Sequence, residues 1–275
     1  MHLGISPQPA NELSRTLLAP LRQDRGVSEL DAPDAIIQPR KGKASPQLGP
    51  VGVLAATDPD LRRLRDMLGF GRDEGRRLHI SRLFTASESL AGTCLAGPLV
   101  GAPYAVMVAE TLIAWGARTL VFLGWCGAVS AAVAIGDLVL PTSALIDEGT
   151  SRHYQPGIGA STPSASLDGK LAEICAFAGR RLHRGPVWTT DAPYRETRDK
   201  VRDYQRRGAL AVEMECSALF TVAAFRAVSA VALLVVSDDL SSLAWRPGFK
   251  DPRFERGREA AGDAIGRLCS ALTVA

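Results

Sequence analysis

The stretch VGVLAATDPDLRRLRDML, Val51–Leu68, decides the fold class. After Pro50, the apolar run Val51–Ala56 has the length and character of a buried strand. Asp58 then stands as an N-cap with Pro59 at the first position of a helix running through Leu68. A buried strand feeding a capped helix is the opening of an α/β alternation.

The alternation continues along the chain. Further strands are expected at Leu78–Phe84, Thr119–Leu123 running into Gly124, Asp137–Leu140, Pro186–Thr189 and Ala230–Val236. Helices are expected at Ala105–Trp115 with Gly116 as the stop, Lys170–Leu182, Glu196–Arg207 and Met214–Arg226, with a last one after Pro252. Apolar, β-branched strands alternating with helices predict a mixed or mostly parallel sheet covered on both faces. No internal repeat is visible. The first 48 residues are polar and carry six of the prolines, so they read as a Pro-rich extension, leaving 49–275 as one domain of ordinary size.

Composition removes several function classes. A 46% hydrophobic, 22% charged chain of 275 residues is of globular type. Its 32 basic and 29 acidic residues give only +3, and the basic ones are scattered, which argues against nucleic acid as a partner. No apolar stretch reaches spanning length and no signal-peptide core opens the chain, so a membrane partner is not expected either. Cys94, Cys126, Cys175, Cys216 and Cys269 are odd in number and widely spaced, which suits a reducing cytoplasm better than disulfides. Four histidines without ligand spacing give no metal site and no organic cofactor is implied.

In open α/β sheets the ligand lies beyond the carboxyl ends of the strands. That rule selects Gly124-Trp125-Cys126-Gly127, Thr189–Tyr194 and Ser237-Asp238-Asp239. In VEMECSALF, Glu213 and Glu215 flank Met214 at a helix start, where two acids suit the helix dipole and equally suit a sugar diol. Asp238, after an apolar strand, is either a helix cap or a carboxylic acid able to protonate a leaving group. GPLVGAPYAVMVAE, Gly97–Glu110, places small residues before a helix, as a tight turn or as a point of close ligand approach.

Taken together, GWCGAVSAAVAIGDLVLP (124–141), DEGTSRHY (147–154), TTDAPYRET (189–197), AVEMECSALF (211–220) and VVSDDL (235–240) resemble the superfamily of purine nucleoside phosphorylases, uridine phosphorylases and methylthioadenosine nucleosidases. The resemblance runs from about Val51 to the C-terminus. It implies a three-layer α/β/α fold with a mixed central sheet, a homo-oligomer, and cleavage of the N-glycosidic bond of a small-molecule nucleoside. It further implies that Met214 and Glu215 hold the ribose with Glu213 in the same pocket, and that Asp238 protonates a purine-type base. Ser237, Tyr194 and Arg195 would contact or orient that base, and His153 is a further candidate contact.

The departures concern the acceptor. Phosphorolytic members carry an arginine and a hydroxyl residue where this chain has Phe122 and Trp125, and only Arg62 or Arg63 in AATDPDLRRL offers a counterpart to an early phosphate-binding arginine. Each missing charge-assisted bond is worth about 1.5–3 kcal/mol. Phosphorolysis with inorganic phosphate as co-substrate stands slightly ahead, Gly124, Trp125 and Arg152 then forming the acceptor pocket, with Arg195 as another substitute cation. Hydrolysis, with Trp125 narrowing the vacated pocket, is the alternative, and a non-catalytic nucleoside-binding relative is the second alternative.

Overall fold

The computed structural model describes residues 35–71, 74–85, 92–177 and 181–273. The chain divides into two units, Met1–Gln38 and Pro39–Ala275, and the helices and strands of the described residues lie in the second. The Pro-rich extension expected over 1–48 lies mostly outside the described residues; of its later part, Leu48 is buried and Arg40 accepts a bond from the Trp115 indole N–H at 3.2 Å.

The elements in order are β1 (Val51–Ala55), α1 (Asp58–Met67), β2 (Arg76–Leu78), β3 (Ser81–Thr85), β4 (Thr93–Gly97), α2 (Ala102–Trp115), β5 (Thr119–Ala128) and β6 (Leu138–Asp147). Then come α3 (Ser151–Tyr154), β7 (Ala160–Ser161), α4 (Ala165–Phe177), β8 (Leu182–Thr190), a 3-10 turn (Pro193–Arg195), α5 (Arg198–Arg206), β9 (Ala211–Glu213), α6 (Cys216–Phe225), β10 (Ser229–Asp239), β11 (Arg246–Pro247) and α7 (Pro252–Thr273). One mixed sheet runs β11-β10-β6-β8-β9-β5-β1-β4-β3-β2, with β7 on β6. Strands β1, β5 and β10 run parallel, and the added β10–β5 pairing closes the middle of the sheet on itself.

Side chains along β1 alternate between two helical layers, as a strand buried on both faces requires. Val51, Val53 and Ala55 join Leu61 and Leu64 of α1, Leu167 and Leu171 of α4, and Ala261, Ile265 and Leu268 of α7 in one core. A Cβ at Gly52 would meet Leu112 of α2 and Leu120, which places α2 on the opposite face. There α2 and α6 are tied by a bidentate pair: Arg226 Nε and Nη2 donate to Glu110 at 2.7 and 2.9 Å, with both side chains under 10% exposed. All five cysteines are buried thiols. Among the described residues no helix is long and apolar enough to cross a membrane.

Several local expectations needed correction. Thr57, not Asp58, caps α1: its hydroxyl accepts from the Asp60 N–H, and Asp58 and Pro59 form the first turn. The strand expected over Leu78–Phe84 is a hairpin, because Leu78 pairs with Ser81 around a two-residue turn in which His79 adopts φ +54°. The helix expected over Lys170–Leu182 lies earlier, and Leu182 already begins β8. Gly124–Gly127 and Ser237–Asp239 are not loops: β5 and β10 run on through them, paired to each other up to Asp239↔Ala128.

Candidate active site

The carboxyl ends of β1, β5, β9 and β10, with the turn after β8, surround one cavity of about 530 Å³. Its walls are Ala56 and Thr57 after β1, Trp125–Gly127 of β5, Val212–Glu215, and Ser237 and Asp238 of β10. Val100, Pro193, Tyr194, Glu196, Leu240, Trp245 and Phe249 complete the lining. Every charged side chain in this set is a carboxylate: Glu196, Glu213, Glu215 and Asp238.

The Glu-Met-Glu motif does not open a helix as a unit. Glu213 ends β9, Met214 makes the turn, and Glu215 is the N-cap position of α6. Glu213 is consumed by the fold: one oxygen accepts from the Thr189 hydroxyl, and Oε2 accepts the backbone N–H groups of Glu215 and Cys216, both at 2.7 Å. Those bonds cap α6 and hold the turn that aims Glu215. Glu215 Oε1 accepts the Gly101 N–H at 2.6 Å, and the same carboxyl lines the cavity. Burial, reinforced by the charge of Glu213, pushes the Glu215 carboxyl up to about 8. Glu213 is raised as well, burial outweighing the bonds that favour its ionised form.

Gly101 reaches Glu215 only because it lies at φ +82° and ψ 150°, a region that side chains other than glycine's enter at a cost of about 1–3 kcal/mol. Gly101→Ala is therefore expected to lower unfolding free energy by about that amount and to raise KM for any ligand held by Glu215. Denaturant titration and steady-state kinetics read the two effects; an unchanged KM with lowered stability would detach Gly101 from the site.

Asp238 sits where β10 bulges between Val236 and Asp238, a device that re-aims side chains at sites. Both its oxygens accept: Oδ1 from the Ser237 hydroxyl at 2.6 Å and Oδ2 from the Trp245 indole N–H at 2.9 Å. Gly127 leaves it room, since a Cβ there would stand 3.1 Å from Asp238 Oδ2 and 2.6 Å from Leu240. The neighbouring Asp239 is turned to other work, accepting the Ser241 N–H and pairing with Arg246.

Trp125 is both wall and packing. Its indole N–H donates to Asp60 Oδ2 at 2.5 Å, and its ring meets Phe254 edge-on at 4.9 Å. Asp60 also takes Arg258 Nε at 2.7 Å, and that guanidinium lies 5.4 Å over the Trp125 ring while also pairing with Glu255. The arginine behind Trp125 is thus engaged by carboxylates and an aromatic face. Arg62 pairs with Asp58, and Arg63 with Glu255 and Glu259. Phe122 is a core side chain, 1% exposed.

The structure brings together Glu213, Met214, Glu215, Ser237, Asp238, Trp125 and Tyr194 from the sequence-derived set. It does not bring Arg152, Arg195 or Gly124 to the cavity. Arg152 and His153 are exposed on α3, Arg195 points outward from the 3-10 turn, and Gly124 is buried inside β5 against the Phe122 ring. Tyr194 lines only the rim, fully exposed. Glu196, which sequence reasoning passed over as the start of a helix, is in the wall, and burial with the nearby charge of Asp238 pushes its carboxyl up to about 7 against the pull of Lys200.

Known proteins show the same architecture and part of the sequence. The profile of the phosphorylase superfamily matches residues 50–272. A purine nucleoside phosphorylase of the DeoD type from Bacillus cytotoxicus is 33% identical over 180 residues, 64% of this chain and 70% of that protein; one from Bacillus mycoides matches equally. Among solved structures, a uridine phosphorylase from Vibrio fischeri superposes with a TM-score of 0.69 at 21% identity, covering 82% of this chain and 92% of that one. An AMP nucleosidase from Bacteroides thetaiotaomicron superposes with a TM-score of 0.62 at 26% identity, covering 80% and 89%.

Proposed function

From the membership of this chain in the phosphorylase superfamily, we propose that it cleaves the N-glycosidic bond of a purine-type nucleoside with water as the acceptor. The observation that carries the choice of acceptor is the cavity wall itself: four carboxylates and the anchored Trp125 indole line it, and the arginine behind Trp125 is held by Asp60 and Glu255. A phosphate dianion placed there would meet none of the cations it needs, since no basic side chain among the described residues lines the cavity, and each charge-assisted bond it lacks is worth about 1.5–3 kcal/mol. Water carries no charge to be matched.

The remaining roles follow from position. Glu215, fixed by Gly101, offers its other oxygen to the ribose diol, with Met214 beside it as an apolar face. As the bond to the base lengthens, positive charge grows on the sugar and negative charge on the base. Glu215 stabilises the first, and Asp238 supplies the proton that neutralises the second. The names of the DeoD-type relatives support a purine. They also favour phosphorolysis, the second reading, which needs a cation from beyond this chain's own cavity wall. Fully exposed Tyr194 on the rim suits a neighbouring copy in a homo-oligomer.

The test is base release from inosine, adenosine, guanosine, methylthioadenosine and uridine, with and without inorganic phosphate. Release from the purine nucleosides at a rate that phosphate leaves unchanged is expected. A rate that rises with phosphate from zero would replace hydrolysis by the second reading, and binding without release would leave only the nucleoside-binding alternative.

A further inference from the structure

Three aromatic side chains run along one side of the cavity, and two of them are left largely uncovered. Trp245 and Phe249 have ring centroids 6.4 Å apart, and Phe249 lies 6.1 Å from Trp125. All three line the cavity, yet Trp245 is 63% exposed and Phe249 50%. Aromatic area of that size is ordinarily buried, so its exposure beside a cavity marks a surface that a ligand can cover.

The backbone fixes where the Trp245 ring stands. β11 folds back along β10 in antiparallel register, Asp239 facing Arg246 and Asp238 facing Pro247, and the Gly248 N–H closes on the Ser237 carbonyl at 2.9 Å. The connection turns at Leu243, φ +63°, whose N–H bonds the Leu240 carbonyl at 2.8 Å, while the Gln205 amide holds the Ser241 carbonyl at 2.9 Å. Two residues before Pro247, Trp245 thus comes diagonally against Asp238, within the reach that large side chains have across an antiparallel pair. Its indole N–H donates to Asp238 Oδ2 at 2.9 Å. An indole nitrogen only donates, and its hydrogen lies in the plane of the ring, so this bond pins the ring by its edge and covers neither face.

Any group that hydrogen-bonds to Asp238 Oδ2 beside the indole stands within about 6 Å of the indole nitrogen, twice the length of one bond. A base that Asp238 serves therefore has its own ring within reach of the Trp245 ring. The other rings are placed differently: Trp125 is turned to Asp60 and Phe254, and Tyr194 reaches only the rim. We propose that Trp245 is the specificity-determining residue for the base: its indole, oriented by Asp238, is the surface on which the base stacks, and a bicyclic purine covers more of it than a monocyclic pyrimidine. This rests on the glycosidic reading for the identity of the ligand.

The experiment measures the binding of adenine and of uracil to the full-length protein by titration calorimetry, with Trp245→Ala and Trp245→Phe beside the parent. The parent is expected to bind adenine more tightly than uracil. Trp245→Ala should weaken adenine by about five- to a hundredfold, the range for removing an aromatic side chain from a stacked base, and uracil by less, so that the preference narrows. Trp245→Phe keeps a ring and loses the N–H, and it should recover most of the adenine affinity and of the preference. A parent that binds adenine no better than uracil, an unchanged adenine affinity in Trp245→Ala, an equal loss for the two bases, or no recovery in Trp245→Phe overturns the role of Trp245 alone, since base release from nucleosides by the parent keeps the glycosidic reading. A parent that binds neither base and releases none from nucleosides overturns both.

Discussion

Glu215→Gln is expected to lower kcat/KM for nucleosides by about a hundred- to ten-thousandfold while leaving the protein at least as stable as its parent above neutral pH. The loss, read above about pH 8 where the Glu215 carboxyl is ionised, follows from two sugar hydroxyls giving up a charged acceptor, each bond worth about 1.5–3 kcal/mol, at about 1.4 kcal/mol per factor of ten. The stability follows from linkage. The folded Glu215 carboxyl is raised to about 8, against about 4.3 in an unfolded chain, so the native state binds more protons between those values. Its contribution is therefore fully present below about pH 4 and lost as pH rises through about 8. A neutral glutamine keeps an oxygen for the Gly101 N–H and removes that loss. Kinetics together with urea titrations at several pH values read both effects. A variant that is fully active, or one destabilised as much at pH 8 as at pH 5, contradicts the assignment.

Asp238→Asn is expected to cost about a hundred- to ten-thousandfold in kcat on a purine nucleoside, the usual range for removing a positioned proton donor. The asparagine is nearly isosteric and can still accept from Ser237 or Trp245, so its fold should persist. On 4-nitrophenyl riboside the same variant should lose little, because that leaving group needs no proton. Asp239→Asn is the matched control. Its carboxylate serves Ser241 and Arg246 rather than the cavity, and its kcat should be near the parent's. Equal losses for the two aspartates, or an Asp238 variant as weak on the nitrophenyl substrate as on the nucleoside, would remove the proton-donor role.

Much of this could be read from the chain. The run Val51–Ala55, the capped helix behind it, and helix α2 with its Gly116 stop were legible because burial on both faces and terminal signals are local in sequence. The Glu-Met-Glu and Ser-Asp motifs stood out because a ligand in such sheets lies beyond the carboxyl ends of the strands, and because the motifs resemble those of the superfamily. Less legible was what depends on distant partners. Nothing near Ser237 announces that β10 continues beside β5 through a bulge, or that Gly127 must be small so that Asp238 can sit there. Arg152 and Arg195 attracted attention as cations, yet a short helix and a 3-10 turn set them on the surface. Glu196 was missed for the converse reason: an acid one residue before the α5 cap, Thr197, looks like a helix-start residue, and only the stacked Trp188–Tyr204 pair fixing that turn shows where it lies.

In the proposed reaction the base leaves and the sugar is transferred to water. Following a purine nucleoside by proton and phosphorus NMR, in buffer containing inorganic phosphate, separates the outcomes in one sample. Free ribose appearing in step with free base, with the phosphate signal unchanged, is the predicted result. Ribose 1-phosphate appearing as inorganic phosphate is consumed would contradict it, and would require a cation, brought from outside the carboxylate-lined cavity, to hold the phosphate.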